Sequence, residues 1–172
     1  MSQADGFKGQ TIALLNRIAV LLEKCFVAKL TSVNKKGILG AIVTINEYKS
    51  IDMIKKFIAH HNHWEKIFNK DIEFVCEVLP SLYESNVFDT KTLAIPIECF
   101  YKYKKDGYKN AKGVVLPEEQ WPVRNVDEDA LWMFFKNMVT YSCRYINENK
   151  ALYPQIPLDE YVRNYDIKLV KA

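Results

Sequence analysis

The chain contains 172 residues, of which 49% are hydrophobic and 26% charged, and its formal net charge is +3. This composition excludes an intrinsically disordered protein, and the low counts of six glycines and six prolines exclude collagen-like and linker-like material. A chain of this length buries roughly 70% of its unfolded surface when it folds. We therefore expect one domain with its own core over residues 1–172.

The net charge and the spacing of the cysteines argue against several classes of function. The 24 basic and 21 acidic residues nearly balance, so overall charge does not indicate a polyanionic partner. Cys25, Cys76, Cys99 and Cys143 include no Cys-x-x-Cys pair, which argues against a cysteine-rich zinc site or a thioredoxin-like motif. The N-terminus is polar, and no apolar run reaches the roughly 18 residues of a membrane span. We expect a soluble, intracellular protein with reduced cysteines.

Apolar residues recur at helical spacing from Thr11 to Leu30. These residues cover so much of the circumference of the predicted helix that it must pack on more than one side or face a partner. A break follows at residues 34–37. The apolar run over residues 38–45 fits either a buried strand or a short buried helix, because periodicity does not separate the two.

The next predicted helix covers residues 51–68, with Ser50 as its N-cap. Its inner stripe consists of Ile54, Phe57, Ile58, His61, Trp64 and Phe68. Residues 69–71 end this helix. Another helical pattern follows over residues 72–82, and Pro80 should kink or end it.

Prolines and turn signals are concentrated over residues 85–124. The aromatic-rich residues 100–104 favour a strand, and Asp106-Gly107 is typical of a type I′ hairpin turn. Residues 114–116 supply a returning strand. We predict a small β-hairpin or irregular insertion near residues 93–116.

The clearest predicted element is a helix from about Asp127 to Glu148. Asn125 and Glu128 match the chemistry of a capping box at its start. Apolar and aromatic residues then fill two adjacent helical stripes. A C-terminal tail follows, with one short helix expected between Leu158 and Val170.

These elements together predict a mainly α protein, a single compact helical domain of four to six helices. The helical core comprises residues 10–84 and 125–150, the insertion comprises residues 85–124, and the C-terminal tail comprises residues 151–172. No internal repeat is present in the sequence, which excludes a solenoid.

All three histidines lie within one short segment, at His60, His61 and His63. On a helix His60 and His63 would share a face, and two histidines one turn apart can ligate one metal ion. The spacing matches neither the zinc-protease nor the di-iron motif. The simpler interpretation is that His61 is a hydrogen-bonded core residue beside Phe57 and Trp64, with the other two histidines at the surface.

A lysine- and tyrosine-rich segment offers a second kind of site. Its residues are Tyr101, Lys102, Tyr103, Lys104, Lys105, Tyr108, Lys109 and Lys112. On a hairpin, such lysines can neutralise phosphates while the tyrosines stack on unpaired bases. No established nucleic-acid-binding motif accompanies them. A solvated edge hairpin, whose lysines prevent edge-to-edge aggregation, is the favoured interpretation.

Support for catalysis is weak in this sequence. Gly-x-Ser-x-Gly, the phosphate-binding P-loop and the Gly-x-Gly-x-x-Gly dinucleotide motif are all missing. A cysteine and a histidine brought together by the fold remain an open alternative. The sequence favours a protein that is not an enzyme and that binds no cofactor.

The aromatic content indicates an interaction protein. Three tryptophans, ten tyrosines and nine phenylalanines exceed what a small core requires, and surplus Tyr and Trp are typical of interfaces. The aromatic residues least explained by helical stripes are Trp121, Tyr101, Tyr103, Tyr161 and Tyr165. We expect a non-enzymatic interaction or assembly protein that packs against copies of itself or another protein.

Two alternatives from other classes stay open. One is a nucleic-acid-binding protein that uses the lysine- and tyrosine-rich segment, and the other is a metal-dependent enzyme at His60, His61 and His63. The composition, with 20 lysines against four arginines, indicates an AT-rich genome. That composition suits a virus-encoded structural or host-interacting protein, in the virion or the host cell.

Overall fold

The computed structural model describes residues 2–25, 40, 42–43, 45–71, 112–117, 119 and 125–170. Most of these residues are helical, which confirms the mainly α prediction. The α-helices are α1 (Gln3–Cys25), α2 (Ser50–Ala59), α3 (Trp64–Phe68), α4 (Asn125–Glu148) and α5 (Leu158–Tyr165). Among these helices, none is long and apolar enough to cross a membrane.

Helix α1 begins at Gln3, well before the predicted start at Thr11. The Oγ atom of Ser2 accepts a hydrogen bond from the backbone N–H of Asp5 at 3.1 Å and so caps the first turn. Phe7 in the next turn is fully buried. The predicted start is wrong because the first two turns carry one cap and one large apolar side chain, too few for a periodic pattern.

Helices α1 and α4 form an antiparallel pair. Gln3 donates a hydrogen bond to Glu148 over 3.2 Å, and Asn137 donates one to Gln10 over 3.2 Å. Residue numbers therefore rise along one helix as they fall along the other. The contact joins the first and last thirds of the chain, so forming the core brings together residues more than 100 positions apart.

Gly6 lets these two helices approach closely. It is buried, and a Cβ atom placed on it would lie 2.7 Å from Cδ1 and Cζ of Tyr141 on α4. Real Cβ atoms do not come so close to a ring. The absence of a side chain at Gly6 is therefore a packing requirement.

The predicted helix over residues 51–68 is in fact two helices. A 3₁₀ turn over His61–His63 separates α2 from α3. Ser50 is not the N-cap, because Lys49 occupies that position without a side-chain capping bond. The hydroxyl of Ser50 donates instead to Oδ1 of Asp5 on α1 over 2.6 Å. This bond to a carboxylate, which lowers the pKa of Asp5, fixes α2 against α1.

The core lies around α4, which contacts α1, α2, α3 and α5. Its buried side chains are Trp132, Phe135, Met138, Val139, Ser142, Cys143, Tyr145 and Ile146. Opposite them, α2 and α3 bury Met53, Ile54, Phe57, Ile58, Trp64 and Ile67. The predicted inner stripe of residues 51–68 is confirmed except that His61 and Phe68 are only half-buried.

The C-terminal residues turn back onto the helical body. After a 3₁₀ turn at Lys150–Leu152, α5 forms and ends at Asp166, which has a left-handed backbone with φ of 50°. The N–H of Ile167 donates to the carbonyl of Val162 over 3.1 Å, and Ile167 is buried. This geometry is a Schellman closure. The short helix predicted in the tail is confirmed.

The predicted β-hairpin near residues 93–116 is not supported. Of the insertion, the structure describes only residues 112–117 and 119, and these contain no strand, since Val115 makes only an isolated bridge. The rest of the insertion, and the helix predicted over residues 72–82, lie outside the described residues. In the run 38–45, the described residues 40, 42–43 and 45 are helical, which favours the helix alternative.

Candidate functional site

The three histidines lie at the junction of α2 and α3 rather than on a continuous helix. The rings of His60 and His63 stack, with centroids 6.2 Å apart and planes at 29°. His61 forms a different contact, to Tyr161 on α5, a residue 100 positions later in the chain. The turn thus separates His61 from its two neighbours.

His61 and Tyr161 are joined by a short hydrogen bond. Nδ1 of His61 lies 2.6 Å from the hydroxyl oxygen of Tyr161. Burial raises the pKa of Tyr161 to about 12, so its hydroxyl keeps its proton at neutral pH. Burial also lowers the pKa of His61, which favours the neutral ring.

Tyr161 belongs to a row of stacked and tilted aromatic rings, which we call the aromatic cluster. It consists of Phe57, Trp64, Tyr161, Tyr165 and Phe68, with centroid separations in that order of 5.7, 5.4, 5.7 and 4.0 Å. The last pair is parallel to within 3°. Aromatic pairs at such distances add about 0.5–1.5 kcal/mol each beyond buried area. The cluster therefore attaches α5 to α2 and α3.

The cluster bears on two predicted interface residues. Tyr161 and Tyr165 are half-buried, and their rings pack within the chain. Their use in an interface stays a prediction that applies to their exposed edges. Helical spacing could not reveal the contacts of these tyrosines to α3 and His61, because they join residues about 100 positions apart. Trp121, the third predicted interface residue, lies outside the described residues.

The metal alternative gains no third ligand from the described part of the chain. No group of three or more His, Cys, Asp or Glu side chains there could hold a metal ion. Nδ1 of His61 is engaged by the Tyr161 hydroxyl. The structure assigns His61 to a hydrogen bond, as the simpler interpretation of the sequence has it, although His60 and His63 are half-buried rather than fully exposed.

Cys143 does not have the properties of a nucleophile. It is a free, fully buried thiol on α4, and burial raises its pKa to about 12. Reactive cysteines have a lowered pKa and partial exposure. Cys143 packs as a small hydrophobe, as the sequence predicts. The side chains of Cys25, Cys76 and Cys99 lie outside the described residues.

An open groove of about 510 Å³ lies between the end of α4 and the start of α5. Its apolar floor consists of the buried Ile146 and Leu158 with the half-buried Tyr153 and Ile156, and the exposed Pro154 and Pro157 also line it. Its charged rim consists of Lys150, Asp159, Glu160 and Arg163. Sequence analysis missed this groove, because its lining comes from the end of α4, the start of α5 and the segment with two prolines between them. We call it the C-terminal groove.

Most of the predicted nucleic-acid site lies outside the described residues. Only Lys112 falls within them, and it is exposed. The nucleic-acid alternative stays a prediction from composition.

Comparison with known proteins assigns no relative. No family model matches the chain. No curated protein and no solved structure is similar enough to count as a match.

Proposed function

We propose that the protein is a non-enzymatic assembly protein whose copies pair through the C-terminal groove. The observation that supports this proposal is the groove itself, with an apolar floor inside a charged rim. Protein interfaces have the same arrangement, an apolar centre surrounded by polar residues. Leu152, in the 3₁₀ turn beside the groove, is 65% exposed and would be buried by a partner.

The charges of the rim favour a second copy of this chain as the partner. Lys150 and Arg163 are basic, whereas Asp159 and Glu160 are acidic. A two-fold interface places the same patch of both protomers face to face. A rim with two charges of each sign is complementary to itself, whereas a rim of one sign would repel its own copy. Assembly inside a cell also accommodates the free thiol of Cys143, because reducing intracellular compartments keep thiols reduced.

The first test is the mass of the native assembly over a range of protein concentrations. A dimer at moderate salt is expected. Two variants then test the rim: the acidic-rim variant carries Lys150→Glu and Arg163→Glu, and the basic-rim variant carries Asp159→Lys and Glu160→Lys. Each variant alone should be monomeric, and an equimolar mixture should form a heterodimer, because opposite rims attract.

The matched control changes net charge equally at a distance from the groove. Lys55→Glu with Lys66→Glu replaces two exposed lysines on α2 and α3 and should leave the dimer intact. A monomeric wild-type protein, or rim variants that still form homodimers, would contradict the proposal. A monomer that retains an oligonucleotide, released when the lysines of residues 101–112 are replaced by Glu, would instead favour the nucleic-acid alternative.

A further inference from the structure

We infer that Leu152 of each copy inserts into the C-terminal groove of the other copy. This inference rests on the pairing proposed above, and it names the side chain that fills the groove. The groove lies between the end of α4 and the start of α5, and Leu152 lies in the 3₁₀ turn between these two helices. The insertion is reciprocal, because a two-fold axis relates the two copies.

The concave shape of the groove requires a convex partner. If the two-fold axis passed through the groove itself, two open grooves of about 510 Å³ would face each other across the interface. The centre of a stable interface packs as densely as a protein interior, and a void there loses the contacts of the atoms that line it. The axis must therefore lie beside the groove, so that a protruding apolar part of each copy enters the groove of the other.

Among the exposed apolar side chains that the structure describes, Leu152 is the closest to the groove along the chain. It is 65% exposed, although its neighbours Lys150 and Tyr153 both line the groove. The other exposed large apolar side chains of the described residues lie elsewhere along the chain: Val43, Ile51, Val114, Val115, Met133 and Val170. Met133, for example, lies more than three turns before Ile146 on α4, about 20 Å along the helix axis. Leu152 is therefore the side chain that a reciprocal insertion would bury.

The turn that carries Leu152 is held by hydrogen bonds within the chain. The N–H of Leu152 donates to the carbonyl of Asn149 over 2.9 Å, and the N–H of Tyr153 donates to the carbonyl of Lys150 over 3.1 Å. The side-chain amide of Asn149 donates to the carbonyl of Tyr145 on α4 over 2.9 Å. A fixed backbone therefore presents Leu152, so its insertion removes little backbone entropy.

The floor of the receiving groove is partly fixed by the core and partly left for a partner to cover. Ile146 and Leu158 are buried in the single chain, whereas Tyr153 and Ile156 are only half-buried. The ring of Tyr153 makes an edge contact with the ring of Tyr145, with centroids 6.2 Å apart and planes at 65°. The groove is thus pre-formed, and a leucine that enters it removes further apolar surface of Tyr153 and Ile156 from water.

The charges beside Leu152 fit the same arrangement. Lys150 lies in the same 3₁₀ turn, so insertion carries its ammonium group towards the rim of the other copy. Asp159 and Glu160 lie in the first turn of α5, across the groove from the end of α4. The insertion therefore gives Lys150 of one copy acidic neighbours in the other copy, and such rim charges fix the orientation of an interface.

Three variants test the insertion by native mass spectrometry and sedimentation equilibrium over a range of protein concentrations. Leu152→Ala removes the inserting side chain, and Ile156→Trp fills the groove from its floor. Met133→Ala is the matched control, because it truncates another exposed apolar side chain far from the groove. Circular dichroism and urea unfolding establish that each variant is folded.

Leu152→Ala should raise the dissociation constant of the dimer at least about 100-fold, about tenfold for each of the two leucines that lose their buried apolar surface. Ile156→Trp should also weaken its homodimer, and Met133→Ala should leave the wild-type value unchanged. An equimolar mixture of Leu152→Ala and Ile156→Trp should form a heterodimer that is more stable than either homodimer. In that heterodimer Leu152 of one copy enters the open groove of the other, and the truncated side chain faces the filled groove.

A dimer whose dissociation constant is unchanged by Leu152→Ala, or a mixture that forms no preferred heterodimer, would overturn the insertion. The pairing itself would survive that result if the rim variants described above still dissociate the dimer. A wild-type protein that is monomeric at every concentration would overturn both. A preferred heterodimer supports the insertion, since the two substitutions compensate each other only if residue 152 meets the groove across the interface.

Discussion

Gly6 offers the sharpest test of the helix packing, because a single methyl group added there meets the ring of Tyr141. The added Cβ would lie 2.7 Å from Cδ1 and Cζ of that ring, so the ring or the helix must move. Tyr141 is half-buried, and the guanidinium of Arg144 lies 5.7 Å from its ring centroid. Movement of the ring therefore disturbs a second contact. We expect Gly6→Ala to destabilise the protein.

The magnitude follows from two opposing effects. Alanine in place of glycine inside a helix stabilises by about 0.5–1 kcal/mol. Adding a group to a packed core costs about 1–3 kcal/mol. The net loss in the free energy of unfolding for Gly6→Ala is then about 0–2.5 kcal/mol. In a protein of this size each kcal/mol lowers Tm by about 2–4 °C.

Gly9 provides the matched control on the same helix. It is exposed, and no atom would lie within 4 Å of a Cβ placed there. Gly9→Ala should therefore stabilise by about 0.5–1 kcal/mol, through helix propensity alone. Urea unfolding of both variants isolates the packing effect, because the propensity contribution cancels in their difference.

A double-mutant cycle assigns the effect to Tyr141. In the background of Tyr141→Leu, which removes the ring, Gly6→Ala should cost less than it does in the wild-type protein. Equal stability of Gly6→Ala and Gly9→Ala would refute the close approach of α1 and α4. So would a cost of Gly6→Ala that does not depend on residue 141.

Two further predictions concern Cys143 and Asp166. With a pKa of about 12, Cys143 is ionised to about one part in ten thousand at pH 8. An alkylating reagent should therefore leave it unmodified until the chain unfolds, as peptide mass mapping would show. Rapid modification of the folded protein would contradict its burial. Asp166 has a φ of 50°, a conformation in which glycine is unstrained. Asp166→Gly should therefore raise the free energy of unfolding, measured by urea titration, by up to about 1 kcal/mol. A loss of stability would contradict the left-handed assignment.

Local patterns allowed the long helices to be predicted. The helix α4 was expected from about Asp127 to Glu148 and is observed over Asn125–Glu148, because its apolar stripes repeat over many turns. The break at His61–His63 was not predicted, since Phe57, Ile58 and Trp64 also fit one continuous helix. The 3₁₀ turn brings His61 within hydrogen-bonding distance of Tyr161, a tertiary contact that a helical pattern in the sequence does not show.

The candidate site depended even more on long-range contacts. A polar N-terminal segment gave no sign that Ser50 would bond to Asp5, or that Gly6 would face Tyr141. The C-terminal groove joins the end of one helix to the start of the next, so no single helical stripe contains its floor. In the sequence its charged rim appears only as four charged residues spread over residues 150–163. Local propensity describes each element, whereas the site arises from how the elements meet.

The antiparallel pairing of α1 with α4 also has a consequence during synthesis. About 100 residues separate the end of α1 at Cys25 from the start of α4 at Asn125, which takes about 5–20 s to translate at usual rates. Throughout that time α1, whose buried side chains include Phe7, Leu14 and Leu15, lacks α4, the helix that it contacts most extensively in the finished fold. The nascent chain therefore exposes an apolar helix until α4 emerges, and this interval is when it most needs a chaperone.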